Sequence, residues 1–266
     1  MESLTKLIPV SKEFKIDKVN ADGIYSEEIY NPNENNGCVM IHLHGGAYTF
    51  GTLNSQHIFA TTIAKQTKCM VILPEYRLAP EYPFPAALDD SLKVYKWLLN
   101  QGIDSSKIII CGDSAGGGLA VATVMALKEN GLELPRGIVC LSPWVDLLAK
   151  GESHKTKAKV DFTLCAMDLH KSAKLYAGKE NLKNPLISPV YGDFTGFPPM
   201  LIHVGTEEIL LDDSVMLAEK AREDKVDVTI KIWEGMWHVW HLMGNIVPEG
   251  KEAIEEVCEF IIKTLK

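Results

Sequence analysis

The sequence predicts an α/β protein with a mostly parallel sheet covered by helices on both faces. Three observations support this. Short apolar runs at 38–43, 69–73, 107–111, 137–141 and 200–204 are nearly continuous in Val, Ile, Leu, Met and Cys, as strands buried on both faces are; a further strand is expected at 227–233. Stretches with helical periodicity lie between and after them, at about 54–67, 86–100, 115–130, 212–224 and 249–265. In the last, Ala253, Ile254, Val257, Phe260, Ile261 and Leu265 recur mostly at three- and four-residue spacing, which puts them on one helix face. Strands alternating with helices in this way are parallel strands joined by crossovers.

Taken in order, the chain begins with a polar stretch at 1–14 that lacks the apolar region of a secretory signal. Residues 24–30 and 38–43 are joined by Asn31-Pro32-Asn33-Glu34-Asn35-Asn36-Gly37, and this turn chemistry reads as an antiparallel hairpin between the two runs. The alternation then proceeds until 141. Residues 142–199 exceed what a crossover needs and contain Pro185, Pro189, Pro198, Pro199 and a helical stretch at 167–176. They are expected to form an insertion that covers the active edge of the sheet, with an enlarged crossover as the alternative. The whole, 1–266, reads as one domain, its cap drawn from about 1–20 and from an insertion at about 145–197.

With 266 residues, 46% apolar and 23% charged, the chain can bury a sizeable core. Its net charge of −8 is spread along the sequence and argues against nucleic acid or an anionic membrane as the main partner. The six cysteines contain no Cys-x-x-Cys pair; four sit in or beside strand-like runs and read as small buried hydrophobes in a reducing compartment. No stretch approaches the roughly 18 apolar residues of a membrane span. These readings make a cytoplasmic location the default.

Two glycine motifs carry the chemistry. Gly112-Asp113-Ser114-Ala115-Gly116 lies between an apolar run and a small-residue helical stretch. A strand that turns sharply into a helix presents a serine hydroxyl at the sheet edge, and flanking glycines leave room for the backbone. His42-Leu43-His44-Gly45-Gly46-Ala47-Tyr48 follows another strand. Serine attack on an ester puts negative charge on the carbonyl oxygen, and rigid backbone N–H donors stabilise it. Gly45, Gly46, Ala47 and Ala115 are the candidate donors. For the base, His238 stands just past the last strand. For the acid, the segment Gly205-Thr206-Glu207-Glu208-Ile209-Leu210-Leu211-Asp212-Asp213 follows the strand before it. The order serine, acid, histidine, each after a strand, is that of α/β-hydrolases. Tyr48, Trp144 and Trp237 are candidates to line a substrate pocket, with core packing as the alternative. A four-histidine metal site at His42, His44, His238 and His241 is disfavoured, because no carboxylate or cysteine stands at zinc spacing.

Together with the segment Tyr76-Arg77-Leu78-Ala79-Pro80-Glu81-Tyr82-Pro83-Phe84-Pro85-Ala86-Ala87-Leu88-Asp89-Asp90, these motifs resemble the hormone-sensitive-lipase-like family of bacterial carboxylesterases, from about residue 21 to the C-terminus. The resemblance implies an α/β-hydrolase fold and cleavage of short-chain acyl esters with no metal or organic cofactor. It implies Ser114 as nucleophile, His238 as base and Glu207 as acid, with Gly45, Gly46 and Ala115 at the oxyanion hole. Ala47 replaces a third glycine, and Glu207 an aspartate whose shorter side chain would need a different backbone position. Glu208, Asp212 and Asp213 stay open as rivals, the two aspartates also suiting the cap of the next helix. Arg77, Asp89 and Asp113 read as structural. Few residues precede the match, so a reduced cap and an open site are expected. By analogy a homodimer is a candidate state. The same residues would serve a lactonase or amidase, and a non-catalytic ligand-binding protein on this fold is the alternative from another class.

Overall fold

The computed structural model describes residues 11–266. Among them are eight strands: β1 Lys15–Ala21, β2 Ile24–Tyr30, β3 Val39–Leu43, β4 Met70–Pro74, β5 Ile108–Asp113, β6 Gly137–Leu141, β7 Met200–Gly205 and β8 Val228–Trp233. The helices are α1 His57–Thr67, α2 Ala86–Asn100, α3 Ala115–Glu129, the single turn α4 Ser153–Thr156, α5 Ala166–Ala177, α6 Leu211–Glu223 and α7 Pro248–Thr264. The sheet order is β1-β2-β4-β3-β5-β6-β7-β8. From β4 to β8 every neighbour is parallel, whereas β1–β2 and β2–β4 are antiparallel.

The apolar runs are continuous because the two-residue period of each strand feeds two cores. Ile41, Ile72, Ile110, Ile138 and Ile202 face one side, where Val94 and Leu98 of α2, Leu119 of α3 and Leu217 of α6 pack on them. Met40, Val71, Ile109, Val139 and Leu201 face the other, against Phe59 and Ile63 of α1 and Ile254, Val257 and Ile261 of α7. Helix α3 is buried on almost every side from Ala115 to Leu127, and its glycines and alanines allow that close packing.

The expected hairpin between 24–30 and 38–43 is corrected. β2 pairs with β1 and β4, and β3 lies inside, between β4 and β5. The hairpin is β1–β2, closed by Asp22-Gly23, with Ala21 opposite Ile24. Both turn residues have positive φ, 54° and 89°, as tight hairpin turns that match strand twist require. β1 is polar and mostly exposed, so its hydrophobic pattern gave no strand signal. The expectation that about 1–20 contributes to a cap is corrected for its described part, since Lys15–Ala21 is an edge strand; residues 1–10 lie outside the described residues. The insertion between β6 and β7 holds α4 and α5. Its Tyr176 ring stacks on Tyr48, centroids 3.7 Å apart and planes 4° off parallel, and its Ser172 hydroxyl lies 3.3 Å from that of Thr49. The insertion therefore packs onto the loop after β3.

Parallel strands end at one edge of the sheet, and open α/β sheets place their sites there. The segments following β3, β5, β6, β7 and β8 are the ones that carry the motifs. Among the described residues no helix is long and apolar enough to cross a membrane.

Candidate active site

Ser114 follows β5 directly and has φ 55° and ψ −122°, a conformation that a residue with a side chain rarely adopts. It is held by backbone bonds on both sides. Its N–H donates to Leu141 O at 2.9 Å, and its carbonyl accepts from Trp144 N at 2.9 Å. The flanking glycines are dictated by contact. A Cβ at Gly116 would lie 1.9 Å from the Leu43 carbonyl oxygen, and one at Gly112 would lie 2.1 Å from the Gly116 oxygen. The serine is buried, 5% exposed, and α3 starts at the next residue, so the positive end of that helix lies beside it.

The loop after β3 crosses close to this elbow, where a Cβ on Gly45 would come within 3.0 Å of Ser114 Cβ. Gly46 has φ +124°, and its carbonyl accepts from Thr49 N at 2.9 Å and Phe50 N at 3.0 Å. Ala47 and Tyr48 also take positive φ, 50° and 61°. Among the described residues no backbone carbonyl outside the regular elements accepts the N–H of Gly45, Gly46, Ala47 or Ala115. His44 braces the loop from behind. Its Nδ1 lies 2.7 Å from Gly45 O and its ring stacks on Tyr76, whose hydroxyl donates to His44 O at 2.6 Å. Burial pushes the His44 pKa down against the opposing pull of Gly45 O and Asp113, and the contact with the Gly45 carbonyl makes Nδ1 the donor. Tyr76 thus gives the proline-rich segment a part in shaping the loop. Arg77 in the same segment binds Asp90, Nη2 to Oδ1 at 2.7 Å.

After β7 the carboxylate that meets His238 is that of Glu208, and Glu207, the residue expected there, points elsewhere. His238 Nδ1 stands 2.7 Å from Glu208 Oε2. Glu208 is fully buried and its Oε1 accepts from Gly205 N at 2.7 Å and from the Ser142 hydroxyl at 2.8 Å. Glu207 is half-buried, and its Oε1 pairs with Lys157 Nζ at 3.5 Å. The reason lies in the turn: Gly205 N–H reaches forward to the residue three positions on, so the second glutamate folds back under the strand end and the first is turned outward. Asp212 and Asp213 begin α6 and serve the insertion. Asp212 accepts from Ser153 N at 2.8 Å, and Asp213 accepts from Val145 N and Asp146 N at 3.0 and 2.9 Å.

His238 is 5% exposed and lies in the loop after β8. That loop meets the end of β7 closely. A Cβ on Gly205 would sit 2.1 Å from Met236 O, and Glu207 N donates to that same oxygen at 2.9 Å. His42 packs beneath the elbow, 3.3 Å from Asp113 Oδ1 and 3.1 Å from Gln56 Oε1. His241 is fully buried against Trp240 and His203. Among the described residues no group of His, Cys, Asp and Glu side chains is placed to hold a metal ion.

The expected pocket residues divide. Tyr48 and Trp144 are each 1% exposed and pack in the core behind the two loops, which corrects their expected place on an open pocket. Trp237 is half-buried beside His238, with its ring 5.7 Å from that of Phe162, which is 75% exposed. Sequence reasoning passed over Ser142 altogether. Its signal was a hydroxyl standing directly after β6, at the edge where Ser114 also emerges.

Comparison with known proteins gives a consistent picture. A family model described as the alpha/beta hydrolase fold matches residues 40–242. An acetyl-hydrolase of Streptomyces hygroscopicus is 39% identical over 239 residues, which cover 90% of this chain and 80% of that protein. An esterase of Acinetobacter venetianus is 36% identical over 261 residues, covering 98% of this chain and 86% of that protein. The crystal structure of an esterase from the bacterial hormone-sensitive lipase family superposes with a TM-score of 0.97 at 40% identity, covering 100% of this chain and 89% of that one.

Proposed function

The chain belongs to the α/β-hydrolase family, is a carboxylic ester hydrolase of the hormone-sensitive-lipase kind, and on that premise we propose that it cleaves short-chain acyl esters with Ser114, His238 and Glu208. The Ser114 hydroxyl attacks the ester carbonyl while His238 Nε2 takes its proton. Glu208 accepts the Nδ1–H of the ring, fixes the tautomer and stabilises the imidazolium. The oxygen of the tetrahedral intermediate is received by N–H groups of Gly45, Gly46 and Ala115, with Ala47 beside them. Collapse expels the alcohol, which leaves with the proton from His238. Water then attacks the acyl-Ser114 ester by the same route, releasing the acid and restoring the serine. No step calls for a metal or an organic cofactor.

The observation that carries this reading is the buried 2.7 Å contact between His238 and Glu208, at the sheet edge where the strained Ser114 elbow emerges. Short acyl chains are supported by the packing of Tyr48, Trp144 and Tyr176, all 1% exposed, behind the loops, and by the likeness to an acetyl-hydrolase. The test is hydrolysis of p-nitrophenyl acetate, butyrate and laurate by the native protein and by Ser114→Ala. Loss of kcat by at least about 10,000-fold in the variant is expected, with residual turnover left to binding and the oxyanion donors. Only the native protein should be labelled by a fluorophosphonate. Equal rates in both would reject the mechanism, and a preference for laurate would reject the chain-length reading.

A further inference from the structure

The turn after β6 touches Ser114, Glu208 and the residue that follows His238. Leu141 O and Trp144 N hold the two peptide groups of Ser114, both at 2.9 Å. Between them, Ser142 has φ 48° and is fully buried. Its N–H donates to His203 O on β7 at 2.7 Å, which leaves the side chain to aim at the site. The single hydroxyl proton goes to Glu208 Oε1 at 2.8 Å. The hydroxyl oxygen accepts the N–H of Val239, the residue after His238, at 3.2 Å.

The second contact has an energetic context. Val239 has φ 55°, and a β-branched side chain in the left-handed region is a true outlier. Such strain persists only where the surroundings over-determine it. The Ser142 oxygen is the acceptor that receives this strained peptide, so it fixes where the loop presents the imidazole. The same atom's proton fixes the rotamer of the carboxylate that the imidazole must meet.

We infer that Ser142 is a positioning residue for ester hydrolysis: its hydroxyl bridges the acid Glu208 and the base loop at Val239, and so sets the alignment of the His238–Glu208 pair. This rests on the proposed triad. Misplacing a catalytic group by an ångström can cost about 100-fold in rate. Ser142→Ala removes the bridge, and Ser142→Gly removes it while suiting the positive φ. Both are expected to keep KM for p-nitrophenyl acetate within about 3-fold and to lose about 10- to 100-fold in kcat.

A double-mutant cycle with Glu208→Gln completes the test. If Ser142 acts through the acid, its removal in the Glu208→Gln background costs far less than in the native one. Full additivity, or native kcat in both Ser142 variants, would overturn the inference. Recovery of native kcat in Ser142→Gly alone would also overturn it, since the backbone and not the hydroxyl would then be what matters. Native rates for Glu208→Gln would instead overturn the triad reading.

Discussion

The Glu208 carboxylate is held by three polar partners although the residue has no exposed surface. Gly205 N–H and the Ser142 hydroxyl serve Oε1, and the His238 ring serves Oε2. In a glutamine the amide oxygen would take the place of Oε1, which receives two donors, so its N–H would face the ring and favour the wrong tautomer; Glu208→Gln is therefore expected to lower kcat by about 1,000- to 10,000-fold. Glu207→Gln loses only a half-buried pairing with Lys157 and should stay within about 3-fold, since such pairs contribute little. Steady-state hydrolysis of p-nitrophenyl acetate by the two variants decides between the adjacent acids; a larger loss at 207 would reverse the assignment. The sequence located the proposed acid to within a few residues and no closer. Residues in an irregular turn have no period from which to read side-chain direction, so Glu207 and Glu208 look alike until their partners are known. Ser114 and its glycines were legible because their constraint is local. The same holds for Gly46, where a Cβ would lie 1.9 Å from the Phe50 oxygen.

The insertion is fastened to α6 by a buried pair between α4 and its neighbour. His154 Nε2 lies 2.8 Å from Asp213 Oδ1. Burial lowers the His154 pKa, but the hydrogen bond and charge of Asp213, with Asp146 and Asp212 adding to them, outweigh it and raise the pKa above its ordinary 6.5. A group whose pKa is higher folded than unfolded stabilises fully below the unfolded value and less as pH rises through the folded one. Thermal stability should therefore decline as pH rises from about 6.5 through the raised value. The His154→Gln/Asp213→Asn double variant should lack that component of the decline, and NMR of the ring protons should show His154 titrating above 6.5. An ordinary or depressed titration would contradict the assignment. At this level the sequence revealed the helices and the strands buried on both faces, because their apolar periods are regular. It missed β1, a polar edge strand, and so gave β2 the wrong partner even though Asp22-Gly23 marked the true hairpin.

One sheet edge gathers loops that are far apart in the chain, and the rest of the molecule closes behind it. All six cysteines are free. Cys38, Cys69, Cys111, Cys140 and Cys258 are buried and Cys165 is exposed; burial pushes Cys69 up to about 11 and Cys258 up to about 12. A thiol reacts as the thiolate, so a disulfide reagent such as DTNB should titrate one thiol in the native protein and six after denaturation. Cys165→Ser should abolish the native reaction, and faster labelling of a second cysteine would show that the core opens more readily than its packing implies. The α/β class, the serine elbow and the glycine loop proposed as the oxyanion hole follow from short-range patterns, since a strand's period and a glycine's close contact are written in neighbouring residues. The order of the strands, the partner of β2, the choice of Glu208 over Glu207 and the bridging place of Ser142 depend on contacts between segments tens of residues apart. Those contacts exist only once burial and hydrogen bonding have brought the segments together.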